Sequence, residues 1–197
     1  MKLIFKGKYT NEEQLPKGEL PENAVRFNEP ETPAKVNIVA SLFLVPPLVL
    51  IIGGIFAAGM IHGELTLELS LWGVLLAFAA MIPHEFLHAV NFPKDTEVQM
   101  YYSLKNMMMF VISTAPVSKA RFIWMSFFPN LMLGWLPFIL WMAFPNVPIL
   151  SAILLPFAVI NIFFGAGDYM NMYNAWRQMP KGSLTQLSGF HSYWYMP

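Results

Sequence analysis

The sequence has no cysteine and little charge. Of 197 residues, 12 are Lys or Arg and 12 are Asp or Glu, so the formal net charge is zero. The missing cysteine excludes a disulfide framework, a thiolate nucleophile and a cysteine-ligated zinc site. The missing basic excess excludes a nucleic-acid surface, because neutralising phosphates takes clustered surplus cations. There is no glycine-rich phosphate loop, internal repeat or heptad seam, so no nucleotide partner is expected. The first 35 residues lack the apolar core of a signal peptide, so no cleaved leader is expected.

What is abundant is apolar side chain. Hydrophobic residues make up 56% of the chain, against about 45–50% in ordinary globular domains. The charges leave three long gaps. Residues 36–63 carry none apart from His62, residues 69–93 only His84, Glu85 and His88, and residues 122–167 no Lys, Arg, His, Asp or Glu. A spanning helix needs about 20 apolar residues, so the third gap holds two, divided at Pro145-Asn146-Val147-Pro148. The spacing predicts an all-α membrane protein with four transmembrane helices, at about 37–61, 67–92, 120–144 and 148–176, in a domain covering 36–180. Residues 1–35, with four prolines among six glutamates, read as a loose cytoplasmic arm holding one short strand at Leu3–Tyr9. Residues 181–197 read as a tail whose Tyr193, Trp194 and Tyr195 suit the interfacial belt.

All 12 cations fall before the first helix, between the second and third, or after the fourth. Cytoplasmic loops attract Lys and Arg, so both termini are expected in the cytoplasm. Residues 96–118 alternate apolar and polar and then turn at Lys105-Asn106, which predicts a small cytoplasmic-side β-hairpin. It offers either an edge for an unwound substrate strand or an amphipathic re-entrant piece sealing the bundle.

Pro83-His84-Glu85-Phe86-Leu87-His88 contains His-Glu-x-x-His. On a helix the two imidazoles lie one turn apart on one face and can reach one metal ion, with Glu85 placed to accept a proton from an activated water. Three ionisable residues inside an apolar segment cost at least about 2.5 kcal/mol each and call for a compensating cation. A catalytic zinc site commonly takes three protein ligands. Asp168 is the one acid deep within an expected helix beyond the motif, and it matches the depth of His84, each lying nine or ten residues inside a flanking cation. It is the expected third ligand, the alternative being a protonated Asp bonded to a neighbouring helix. His62 and His191 belong to an outer loop and the tail and are not expected to ligate metal.

With these residues in view, the chain resembles the bacterial putative zincin peptidase family, itself similar to site-2 proteases. The resemblance rests on His84–His88 in the second helix, Ala115-Pro-Val-Ser-Lys-Ala-Arg-Phe, Phe128-Pro129-Asn130 and Gly165-Ala-Gly-Asp168, over about residues 65–197. It implies an intramembrane metallopeptidase with His84, His88 and Asp168 on zinc and Glu85 as base. The fourth-helix segment departs from the Leu-Asp-Gly type of the site-2 enzymes, and no PDZ domain is present.

Around this core, Asn161 and Asn171 share the Asp168 face approximately, for metal-site support, substrate contact or interhelical hydrogen bonds. Asn130 lies at the depth of the metal and follows Pro129, which frees a backbone carbonyl. It can hold substrate or oxyanion, or make a polar packing contact.

The expected function is zinc-dependent cleavage of a membrane-associated protein or peptide near the cytoplasmic leaflet of a bacterial membrane. The alternatives are an inactive binding or regulatory relative, and a transporter. The outer halves of the helices are apolar, which disfavours transport.

Overall fold

The computed structural model describes residues 1–65 and 67–197; Thr66, in the loop between the first two expected spans, lies outside the described residues. Strand β1 (Lys2–Lys8) is followed by a 3-10 turn at Glu12–Gln14 and the short β2 (Val25–Arg26). Helices α1 (Pro33–Leu42) and α2 (Val45–His62) make one 30-residue apolar segment. It begins where Thr32 accepts a bond from the Lys35 amide and Pro33 fills a first-turn position that needs no donor. Pro46 and Pro47 lack the N–H groups that would continue α1, so the helix is interrupted at Phe43–Leu44 and restarts with both prolines in the first turn of α2.

Helices α3 (Leu71–Ala79) and α4 (Met81–Ala89) form the second segment, capped by the Ser70 hydroxyl accepting from Trp72 N–H. Strands β3 (Glu97–Ser103), β4 (Met108–Ile112) and β5 (Val117–Ser118) come next. The third segment is α5 (Lys119–Asn130), a π-helical turn at Leu131–Trp135 and α6 (Leu136–Ala143). Helices α7 (Pro148–Phe164) and α8 (Ala166–Gln178) are bent by 46° at Gly165. Strands β6 (Leu184–Ser188) and β7 (His191–Tyr195) close the chain.

Three helical segments are long and apolar enough to cross a membrane, four if the bent pair counts as one. Ile38, Val49, Phe56, Met60, Leu71, Ile82 and Ile139 are all more than half exposed. So large an apolar surface asks for lipid rather than water. Between the helices the packing is tight where residues are small. A Cβ on Gly73 would strike the Ile153 carbonyl, and one on Gly134 would lie 2.7 Å from the Ile162 side chain. These glycines set how closely α3 and the π turn approach α7. Ile51, Ala58, Phe138, Trp141, Leu155, Ala158 and Ile162 fill the centre, and buried Trp141 donates to Ser151 Oγ at 2.8 Å.

Pro156, inside α7, cannot donate to the carbonyl four residues back, that of Ala152. That carbonyl instead accepts the Ser70 amide at 2.9 Å, pinning the start of α3 to α7.

The expectation of an all-α fold is corrected by two small sheets. One has the order β1-β3-β4, with β1 parallel to β3 and β3 antiparallel to β4; the other has the antiparallel order β2-β7-β6-β5. They stand at the end of the bundle where α1 and α5 begin and α4 and α8 end. The expected hairpin is β3–β4, turning through Leu104–Met107 with Met107 at φ 48°. β6 and β7 form a second local hairpin, while β1, β2 and β5 pair with strands far away in sequence, so short-range alternation could not reveal their partners. Residues 1–35 are accordingly organised rather than loose. β1 joins β3, β2 joins β7, and Tyr9 and Leu15 pack with Tyr101, Ile112 and Phe190. The tail aromatics Tyr193–Tyr195 lie in β7. Lys119, first residue of α5, donates through Nζ to the carbonyls of Trp176 at 3.0 Å and Met179 at 2.6 Å. It thereby satisfies orphan acceptors at the end of α8.

Candidate metal centre

His84, Glu85 and His88 are brought together by one turn of α4, and their ligating atoms all lie within 4.8 Å of one another. All three are buried or nearly so. From α8, Asp168 reaches both rings. Its Oδ2 lies 3.1 Å from His84 Nε2 and its Oδ1 lies 3.2 Å from His88 Nε2, while the two Nε2 atoms are 3.2 Å apart. Tetrahedral zinc with bonds of 2.0–2.1 Å would hold its ligands about 3.3 Å from each other. Two imidazole nitrogens and a carboxylate at this spacing are a donor set that fits zinc.

The state of the His88 ring follows from its other nitrogen. Nδ1 lies 2.8 Å from the Met125 carbonyl, which can only accept, so Nδ1 carries a proton and Nε2 is the atom that faces His84 and Asp168. That carbonyl is available because Pro129, four residues on, has no N–H to offer it. Asp168 is held in turn by Asn130, whose Nδ2 donates to Oδ2 at 2.7 Å and to the Ser126 carbonyl at 3.1 Å. His84 Nδ1 is buried without a partner among the described residues.

The α7–α8 bend puts Asp168 in the first turn of α8, where exposed helix amides favour a carboxylate. β4 packs against α4 from the sheet side. As the edge of its sheet, β4 presents that side unpaired.

Of the residues singled out in the sequence, His84, Glu85, His88, Asp168 and Asn130 converge. Asn161 and Asn171 do not. Asn161 is wholly buried and donates to the Phe157 carbonyl of its own helix, and Asn171 makes no hydrogen bond to the ligands. Asn130 is committed to Asp168 and Ser126 rather than turned toward a substrate. The carbonyl freed by Pro129 was anticipated, but not that this carbonyl, Met125's, takes the proton of a His88 ring nitrogen. His62 donates to the Met142 carbonyl at 3.1 Å, well apart in the fold. His191 belongs to a second cluster in the sheet region. There Arg26 bonds Glu31 at 2.6 Å and stands 3.0 Å from His191, while Glu29 accepts from the Ser192 amide at 2.7 Å.

A family model described as "Putative zincin peptidase" matches residues 77–184, more than half of the chain. The chain belongs to that zincin family. The match contains α4, the β3–β4 hairpin, Asn130 and Asp168, and leaves β1, β2, α1, α2 and β7 outside. The matched region thus carries all of the candidate ligand residues, and the flanking segments supply partner strands and the first apolar segment. Comparison with curated proteins and with solved structures finds no match.

Proposed function

We propose that the chain is a zinc-dependent endopeptidase that hydrolyses a peptide bond of a membrane-associated protein. The observation that carries this is the mutual spacing of 3.1–3.2 Å among His84, His88 and Asp168, with Glu85 adjoining the first ligand. His84, His88 and Asp168 would hold the ion. Bound zinc supplies Lewis-acid polarisation of the scissile carbonyl and acidifies the attacking water. Glu85 takes the proton of that water and returns it to the leaving amine, so that one carboxylate serves as base and then acid. Burial keeps bulk water from competing with these groups, and the nearby edge of β4 offers amides and carbonyls to an extended substrate segment.

The site stands near the sheet end of the bundle, the end at which the three stretches carrying all 12 Lys and Arg residues lie. On the positive-inside rule that end faces the cytoplasm, so both termini are cytoplasmic and cleavage takes place near the cytoplasmic leaflet of a bacterial membrane.

The test uses the full chain, purified in detergent without chelator, with zinc content and cleavage of a quenched-fluorescent peptide library measured together. Glu85→Gln should keep about one zinc per chain and lose at least about 100-fold in turnover, as expected for removal of a general base. Equal turnover in wild type and Glu85→Gln would remove Glu85 from the mechanism. A zinc-loaded wild type that cuts nothing would leave a membrane-embedded binding protein.

A further inference from the structure

Two consecutive residues of α5 act on two different members of the candidate ligand set, Asn130 by direct contact and Pro129 through the carbonyl that it frees. Pro129 withholds an amide, and the carbonyl thereby released, that of Met125, takes the Nδ1 proton of His88 at 2.8 Å. Asn130 donates to Asp168 Oδ2 at 2.7 Å. Both interactions are enclosed. Asn130 is fully buried, Met125 and Pro129 are buried, and the His88 side chain is 12% exposed.

Space for this arrangement comes from α7. A Cβ on Gly165 would collide with Asn130 Oδ1, the amide oxygen that has no hydrogen-bond partner among the described residues. Gly165 is not in a left-handed conformation (φ −75°), so its lack of a side chain serves proximity and not backbone freedom. Immediately after Asn130 the chain makes its π turn, and Gly134 meets Ile162 there. The seam between α5 with its π turn and α7 is therefore close-set on both sides of the amide.

We infer that the Pro129-Asn130 dipeptide, seated against Gly165, is the positioning element of the metal centre: Pro129 sets the tautomer and ring orientation of His88, and Asn130 sets the rotamer of Asp168. This rests on the metallopeptidase reading and adds to it the residues that preorganise two of three ligands. Glu85 and His84, both on α4, lie outside its reach. The device separates the task of holding the ion from the task of aiming the ligands, and places the second on a helix that supplies no ligand.

The test is zinc affinity of the full chain in detergent, measured by competition with a fluorescent chelator, together with the d–d spectrum of the cobalt-substituted protein. Asn130→Leu keeps the branched shape and removes the donor; it should weaken zinc by about 10–100-fold, the usual cost of losing a ligand's hydrogen-bond partner, and alter the cobalt spectrum. Pro129→Ala restores the competing amide and should weaken zinc by about 10-fold. Pro156→Ala, the same change at the other proline inside an apolar helix, should leave affinity unchanged. Gly165→Ala should weaken zinc in the wild-type background. In Asn130→Ala, where the collision is relieved, it should cost less than about threefold further, the signature of two residues acting as a unit. This cycle also keeps the inference open to refutation should Asn130→Leu fold poorly.

Folded Asn130→Leu and Pro129→Ala proteins that bind zinc as wild type does would overturn the inference while leaving the metallopeptidase reading intact. An equal loss in Pro156→Ala would overturn it too, by showing general loosening. A wild type that binds no zinc would sink the reading itself.

Discussion

Two clusters of histidine and carboxylate lie in this molecule, and they differ in one respect. In the sheet region His191 stands among Glu29, Glu31 and Arg26, with the guanidinium bonding Glu31 at 2.6 Å. Inside the bundle His84 and His88 stand with Asp168 and Glu85, and no Lys or Arg is within ion-pairing distance among the described residues. The first cluster carries its own cation and is complete as it stands. The second has no Lys or Arg to supply one: among the described residues only its own imidazoles can carry positive charge, by taking a proton, in surroundings where uncompensated charge costs several kcal/mol. The residue types are alike in the two clusters. The permanent cation is what differs.

The largest effect that would break this comparison is loss of metal. His88→Ala or Asp168→Ala should reduce retained zinc from about one per chain to near zero through purification, whereas His191→Ala should leave it unchanged. Mass-spectrometric metal content decides, and zinc lost equally with His191 would erase the distinction.

A smaller effect concerns Glu29. Burial pushes its carboxyl up to about 6, against the partial relief of its bond from the Ser192 amide. A folded value above the unfolded one means that the native state binds the proton more tightly. The associated stability is then full below about pH 4.5 and is lost as pH rises through about 6, a swing of roughly 2 kcal/mol. Glu29→Gln lacks this swing. The wild type should therefore lose melting temperature relative to the variant between pH 4 and 7, and parallel profiles would contradict it.

The smallest effect is expected for Arg26→Met. Its pair with Glu31 is partly exposed, with side chains 38% and 63% accessible, so the change should barely move the melting temperature and leave zinc affinity untouched. A much larger thermal shift would mean that the guanidinium matters chiefly to the buried Glu29.

The gaps between charges mark the apolar helical segments because a bilayer-sized run is a local property of sequence, and His-Glu-x-x-His is legible for the same reason. Asp168 could be picked out because so few acids lie near the apolar segments. Beyond the β3–β4 hairpin, the sheets could not. β1 finds β3 some 95 residues away, as Lys2 pairs Glu97, and β2 finds β7 across nearly the whole chain. The prolines were half legible. That Pro129 and Pro156 each free a carbonyl follows from chemistry, but which donor takes it depends on what packs alongside. For Pro156 it is the start of α3, and for Pro129 it is a ligand imidazole.

Lys119 ties the beginning of α5 to the end of α8, and Asn130 ties the end of α5 to the beginning of α8. The two ties are eleven residues apart on each of these helices, or roughly 16 Å along the axis. Two antiparallel rods fastened at both ends of a shared length can neither slide nor pivot without breaking a fastening. A lysine at the surface thus acts as the far bolt of a brace whose near bolt is the Asp168 amide contact, and the alignment of the interior carboxylate is partly decided three helical turns away.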